Sequence, residues 1–184
     1  MSEQYVDNII DQLLQVEGEY VNHPDDKGGP TRWGVTEAVA KEYGYIGDMK
    51  EFPLSTAKYI YTDRYWRKPG FNQIALMSSM IAEELFDTGV NMGPSIPSRW
   101  LQRWLNVFNR QEKDYKDIPV DGQLGIRTYS ALRDYLLKRG THGEKVMVSA
   151  LNCSQGARYL ELAEGREANE SFVYGWIANR VTFR

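Results

Sequence analysis

The sequence predicts a mainly α-helical protein with a small β-hairpin or irregular loop after the first helix. Three observations predict it. Apolar residues recur at intervals of three and four in separate blocks between Val6 and Val181, the spacing that lines one side of a helix. Glycine, proline, asparagine and aspartate gather in short stretches between those blocks, where they favour turns over helix. One such stretch, GEYVNHPDDKGGPTRWG, is long enough to hold a hairpin.

The elements follow in order. Val6, Ile9, Ile10, Leu13 and Leu14 share one helical side, and Glu17 continues it at the helix end. After the Gly-rich loop, Thr36 is a candidate N-cap for a helix to about Tyr43, because its hydroxyl can accept from a free first-turn N–H. Pro53-Leu54-Ser55-Thr56 opens a short helix through Tyr65. Ile74 to Val90, containing Leu76, Met80, Ile81, Leu85 and Phe86, reads as one buried central helix ended by the Gly89 to Pro94 region. Ser98 to Phe108 carries a wide apolar stripe of Trp100, Leu101, Trp104, Leu105 and Phe108. Asn109 to Pro119 is polar and reads as a surface loop, and Val120 to Gly125 supplies two turn glycines before a helix from Thr128 to Leu137. Helices from about Glu144 to Leu162 and from Phe172 to Val181 complete the chain. No internal repeat of 20 to 50 residues is visible.

Composition narrows the function. The 184 residues carry 22 basic and 25 acidic side chains, a formal charge of −3, which removes the basic footprint of a dedicated nucleic-acid binder. Nucleic acid is not an expected partner. A chain of this length buries enough surface to fold without metal or disulfide staples, and the lone Cys153 allows no internal bridge. The start, MSEQYVDNIIDQLLQ, has acids where a secretory signal needs a basic segment and an apolar run. No signal peptide and no stable membrane anchor are therefore expected, since no window approaches the roughly 20 apolar residues that span a bilayer. Synthesis in a cytoplasm is the corresponding expectation.

The informative constellation is Glu17, Asp26 and Thr31. Glu17 shares the side of the first helix that carries Ile10, Leu13 and Leu14, where desolvation disfavours the charged form and raises the carboxyl pKa. Asp26 follows in a loop rich in backbone N–H groups and water, which keeps a carboxylate ionised. Two carboxyls pushed apart in this way are what glycoside hydrolysis needs, one to protonate the leaving oxygen and one to support water or the transition state. The bland alternative is a solvated helix-end Glu followed by an Asp-Asp turn, since structural settings also perturb carboxylates.

The run EGEYVNHPDDKGGPTRWGVT, residues 17 to 36, closely resembles the signature of glycoside hydrolase family 108, the phage-type N-acetylmuramidases, whose pattern reads approximately E-G-G-Y-x-N-x-P-x-D-x-G-G-x-T-x-W-G-I-T. FDTGVNMG at 86 to 93, LQRWLN at 101 to 106, VDGQLGIRT at 120 to 128 and FVYGWIANRV at 172 to 181 resemble the peptidoglycan-binding-like region that accompanies it. The resemblance implies a lysozyme-like fold and hydrolysis of the β-1,4 bond between N-acetylmuramic acid and N-acetylglucosamine. Glu17 matches the family's catalytic glutamate, which implies a general acid. Glu17 and Asp26 also keep the eight-residue gap of the wider phage lysozymes, whereas Thr31 follows Asp26 after four residues and those enzymes have five. Thr31 is then the candidate water-positioning hydroxyl, Asp25 the alternative second carboxylate, and inversion the implied outcome. Glu19 stands where the family has glycine.

The resemblance further implies bacterial peptidoglycan as partner, an endolysin made in the host cytoplasm, release to the wall or periplasm after a holin permeabilises the membrane, a monomer, and no cofactor. A non-catalytic peptidoglycan-binding or virion structural protein is the alternative. The chain reads as one domain over 1–184, with a catalytic segment at 1–85 and a helical C-terminal region at 86–184, because no Pro/Ser-rich linker interrupts Ile74 to Phe108.

Tyr20, Asn22 and Trp33, inside the signature, are the candidate substrate-binding residues, since pyranose faces pack on aromatic rings; Tyr61 is a further candidate. Trp66, Trp100, Trp104 and Trp176 read as packing. His23 and His142 lie far apart with no cysteine near either, so no zinc site is expected. Cys153 falls in a helical stripe with Val148, Leu151 and Leu160, and no G-x-S-x-G elbow is present. Asp87 and Asn91 read as structural. Arg158, Arg166, Arg180 and Arg184, interleaved with Glu161, Glu164, Glu167 and Glu170, read as a solvated face.

Overall fold

A computed structural model of the chain describes residues 2–16, 20 and 29–181. It is mainly α-helical with one small antiparallel hairpin after the first helix, a lysozyme-like architecture, and it divides into two compact units, residues 3–67 and 68–184.

In the first unit, α1 (Ser2–Val16) buries Val6, Ile10 and Leu14, each 2% exposed. Their spacing of four places them on one side, which is the reason this segment is helical in the folded chain. The hairpin pairs β1 (Thr31–Arg32) with β2 (Val35–Thr36), Thr31 opposite Thr36 and Arg32 opposite Val35. The Glu37 N–H donates to the Pro30 carbonyl at 2.8 Å and closes its open end. Thr36 then caps α2 (Glu37–Glu42), its hydroxyl accepting from the Val39 N–H at 3.4 Å. A 3₁₀ turn at Met49–Glu51 leads to α3 (Leu54–Thr62), which continues as a wide π-helical turn, Asp63–Arg67. That turn buries Trp66, the packing role expected of it. The Tyr43 hydroxyl donates to Asp63 at 2.7 Å and ties the end of α2 to the end of α3.

The second unit comprises α4 (Phe71–Ala75), α5 (Ser79–Met92), α6 (Ser95–Phe108), α7 (Ile126–Glu164) and α8 (Glu170–Arg180). The single helix expected over Ile74 to Val90 is two. Ser78 interrupts it, accepting from the Ile81 N–H at 3.1 Å as the N-cap of α5 and donating to Glu144 of α7 at 2.5 Å. Leu76, counted in the buried stripe, is 80% exposed at this break.

The loop between α6 and α7 is anchored rather than merely superficial. Tyr115, Ile118 and Asn109 are buried. The Tyr115 hydroxyl donates to the Leu105 carbonyl at 2.8 Å, and the Asn106 amide exchanges two hydrogen bonds with the Ile118 backbone at 2.8 and 2.9 Å. Arg110, Gln111 and Glu112 all take left-handed backbone angles, φ 55, 62 and 61°. Asn109 holds this turn by accepting from the Glu112 N–H at 3.1 Å, and the Arg110 guanidinium forks onto Asp114 at 2.8 and 2.5 Å. That hydrogen-bonded guanidinium keeps the Asp114 carboxyl below its ordinary value.

The VDGQLG segment is fastened by one buried amide. Gln102, 1% exposed, donates to Asp121 at 2.9 Å and to the Gln123 carbonyl at 3.0 Å, and accepts from the Gly122 N–H at 2.8 Å. Its amide nitrogen and its oxygen are both hydrogen-bonded, so the group is buried with partners at each end. Between α5 and α7 a polar seam runs through the apolar packing. Asn152 donates to Glu84 at 2.9 Å and Gln155 to Thr88 at 3.1 Å.

Two charged or reactive groups sit differently from expectation. Arg180 is not on a solvated face but pairs with Asp87 at 3.0 Å, which anchors α8. Asp87 and Asn91 have the structural duty expected, the Asn91 amide donating to the Asp87 carbonyl at 2.7 Å. Cys153 is exposed, and Leu160 of the same presumed stripe is 58% exposed, because the buried side of α7 is set by Val148, Leu151, Asn152, Gln155 and Tyr159. Burial pushes the Tyr159 hydroxyl up to about 12. Tyr159 packs against Trp176 with ring centres 5.3 Å apart.

The long α7 is two helices joined at Gly140, whose φ of 58° and ψ of −156° lie in a region essentially closed to residues with a Cβ. A Cβ added there meets nothing within 4 Å, so the constraint is the backbone alone. Gly140→Ala should therefore cost about 1–3 kcal/mol and lower the melting temperature by several degrees, measurable by thermal circular dichroism.

Asp121 supplies a second expectation. Hydrogen bonds from the Gln123 N–H and from Gln102 hold its carboxyl below the ordinary range. A depressed folded-state value contributes stability that is present above the ordinary pKa of about 4 and is lost as pH falls through the folded value. The melting temperature of Asp121→Asn should accordingly decline less between pH 4 and pH 2 than that of the wild type, in parallel scans.

Candidate active site

The described part of the candidate site is built by the hairpin, α1 and α3. The two-residue loop Trp33-Gly34 has φ of 53° and 68°, the doubly left-handed turn whose twist matches that of a two-stranded ribbon. Glycine takes this conformation freely. A tryptophan in it is a steric outlier, and two contacts hold it. The indole N–H donates to the Phe52 carbonyl at 3.2 Å, and the Arg32 guanidinium carbon lies 5.4 Å from the ring centre. The side chain is left half-buried, presenting its ring to a recess of about 290 Å³ lined by Asp11, Leu14, Trp33, Leu54 and Lys58. Lys58 forms an ion pair with Asp11 at this recess.

Thr31 lies at the start of the same hairpin. Its hydroxyl donates to the Gly29 carbonyl at 3.0 Å, which engages the proton and leaves the oxygen lone pairs to accept. Tyr20 is half-buried, and the Lys50 ammonium stands 5.7 Å from its ring centre. Tyr61 lines a separate, smaller recess of about 70 Å³ with Val39, Ile60, Arg64 and Tyr65, and stacks on Tyr65 at 5.7 Å. The structure thus places Thr31 and Trp33 on one hairpin, with Tyr20 against Lys50 and Tyr61 in another recess. Glu17, Asn22, His23, Asp25 and Asp26 lie outside the described residues. The Asp11–Lys58 pair and Leu54 at the recess were not singled out from the sequence; Asp11 carries no motif, and Lys58 reads only as a polar position of an amphipathic helix.

The helical body and the hairpin define a lysozyme-like protein. Residues 10–93 match the model of the glycosyl hydrolase 108 family and residues 96–181 that of a predicted peptidoglycan domain, so the chain is a glycosyl hydrolase 108 domain followed by a peptidoglycan-binding-like domain. Its fold is similar to that of Brucella abortus SagA, at a TM-score of 0.56 and 22% identity over 97% of this chain and 90% of that one. No curated protein matches the chain. Among the described residues no helix is long and apolar enough to cross a membrane.

The strain at Trp33 is open to measurement. Trp33→Ala and Trp33→Gly both lose the indole and its hydrogen bond, and differ only in the Cβ at a left-handed backbone. The glycine variant should be the more stable by about 1 kcal/mol, the reverse of the order in ordinary backbone, as read from denaturant midpoints.

Proposed function

We propose that the protein hydrolyses the β-1,4 bond between N-acetylmuramic acid and N-acetylglucosamine in peptidoglycan, with Glu17 as general acid. The observation that carries this reading is the glycosyl hydrolase 108 match over 10–93, within which a strained aromatic hairpin and the buried face of α1 border an open recess. Glu17 lies three positions beyond Leu14 of that recess in the sequence. In the proposed mechanism Glu17 donates its proton to the glycosidic oxygen while Asp26 activates a water on the opposite face of the sugar. The Thr31 hydroxyl, whose proton is engaged by Gly29, accepts from that water and helps to orient it. Inversion follows, and it requires roughly 6.5–9.5 Å between the two carboxyls to admit the water. Trp33 and Tyr20 supply ring faces to the sugars and Asn22 a polar contact to an acetamido group.

The proposed setting is that of an endolysin. The protein acts as a monomer and without a cofactor, and reaches the wall after a holin-type partner opens the membrane. Turbidity of suspended bacteria should fall on adding the protein to permeabilised cells and remain steady with intact ones.

Glu17→Gln should reduce release of soluble muropeptides from purified sacculi by at least a hundredfold. Asp26→Asn should do likewise, whereas Asp25→Asn should remain within a fewfold of wild type. Mass spectrometry of the released fragments reads all three. Muropeptides ending in reducing N-acetylmuramic acid support the stated bond, and reducing N-acetylglucosamine overturns it. Near-wild-type release by Glu17→Gln would remove that residue from the role of acid.

A further inference from the structure

The recess beside Trp33 is built from two matched steps. Asp11 and Leu14 stand one turn apart on α1, and Leu54 and Lys58 one turn apart on α3. Each helix therefore gives the recess one charged and one apolar side chain, and Trp33 gives it a further wall. Every lining residue belongs to the first unit. Leu14 is buried, whereas Leu54 is 40% exposed although its side chain is large and apolar.

Asp11 and Lys58 are paired but not enclosed. Their side chains are 44% and 43% exposed, and a single contact leaves capacity on both, since an ammonium has three donors and a carboxylate two oxygens. The pair is neutral as a whole and sets a donor beside an acceptor. A free carboxylate brought to Lys58 would also meet Asp11, and an ammonium brought to Asp11 would also meet Lys58, in each case a like charge that opposes it. A secondary amide meets no such opposition. Its carbonyl accepts from Lys58 and its N–H donates to Asp11, both in charge-assisted hydrogen bonds. The two leucines suit a methyl group next to that amide, and Trp33 suits the face of a ring.

A peptidoglycan strand carries such amides in two places. Acetamido groups are on every sugar, so reading them does not separate the two β-1,4 bonds that alternate along the strand. The lactyl group, with its methyl and the amide that joins it to the stem peptide, is on N-acetylmuramic acid alone. Selecting one of the two bonds requires sensing that substituent. We propose that the recess receives the lactyl-peptide amide of N-acetylmuramic acid. Lys58 donates to its carbonyl, Asp11 accepts from its N–H, the lactyl methyl packs on Leu14 and Leu54, and the sugar lies against Trp33. The inference rests on the reading of the protein as a peptidoglycan hydrolase and adds the residues that choose the bond.

The test compares glycan strands that bear stem peptides with the same strands stripped by an amidase, which leaves a lactyl carboxylate. The full-length wild type should show a kcat/KM about tenfold or more higher on the peptide-bearing strands. Asp11→Ala/Lys58→Met should bring that ratio to about one. It should also release fragments ending in reducing N-acetylglucosamine beside those ending in N-acetylmuramic acid. Lys58→Arg, which keeps the charge and the donors, should retain most of the preference. The pair is half-exposed, so these variants leave the buried side of α1 intact, and a merely structural role would lower the rate on both strands alike. Equal wild-type rates on the two strands, an undiminished ratio in the double variant, or an equal loss on both strands, as a contact to acetamido groups would give, would each overturn the proposal. Undiminished digestion of both strands by Glu17→Gln would instead overturn the assignment of the acid and leave the wild-type preference, and with it the recess, standing.

Discussion

The described part of the candidate site depends on a tryptophan held where tryptophan does not belong. Trp33 occupies the first position of a doubly left-handed turn at φ 53°, a conformation that costs about 1–2 kcal/mol for a residue with a Cβ. A two-residue connection between strands of right-handed twist admits few other turns, so the hairpin dictates the angle and the side chain must be stabilised in place. The hydrogen bond to Phe52 at 3.2 Å does so from the neighbouring segment. It also holds the ring at the recess beside Leu14, while the two-residue turn sets the register that pairs Thr31 with Thr36. A glycine would sit more comfortably and would leave that recess without its aromatic wall.

The second unit follows a related logic with polar groups. Gln102, Asn152 and Gln155 are fully enclosed in a helical packing whose core is largely apolar. Each makes specific hydrogen bonds, to the VDGQLG turn, to Glu84 and to Thr88. Apolar side chains of similar size would bury as much area but would tolerate sliding of one helix along another. Directional bonds at fixed heights select one register. The Arg180–Asp87 pair extends that selection to α8.

Much of this was legible in the sequence, and the misses share a cause. Periodicity located α1, α6 and both halves of α7, and Thr36 declared itself as a cap, because those signals are local. Ser78 did not, since one serine inside an apolar run reads as a helix position until its partner Glu144, 66 residues away, is known. Tyr115 and Ile118 were hidden in a polar loop for the same reason, their partners lying on α6. Cys153 and Leu160 were assigned to an apolar stripe that is displaced by buried Asn152 and Gln155. In the candidate site, the family resemblance pointed to Trp33 and Thr31, and the structure sets both on one hairpin. The Asp11–Lys58 pair joins two helices far apart in the chain, a contact with no trace in either helix alone.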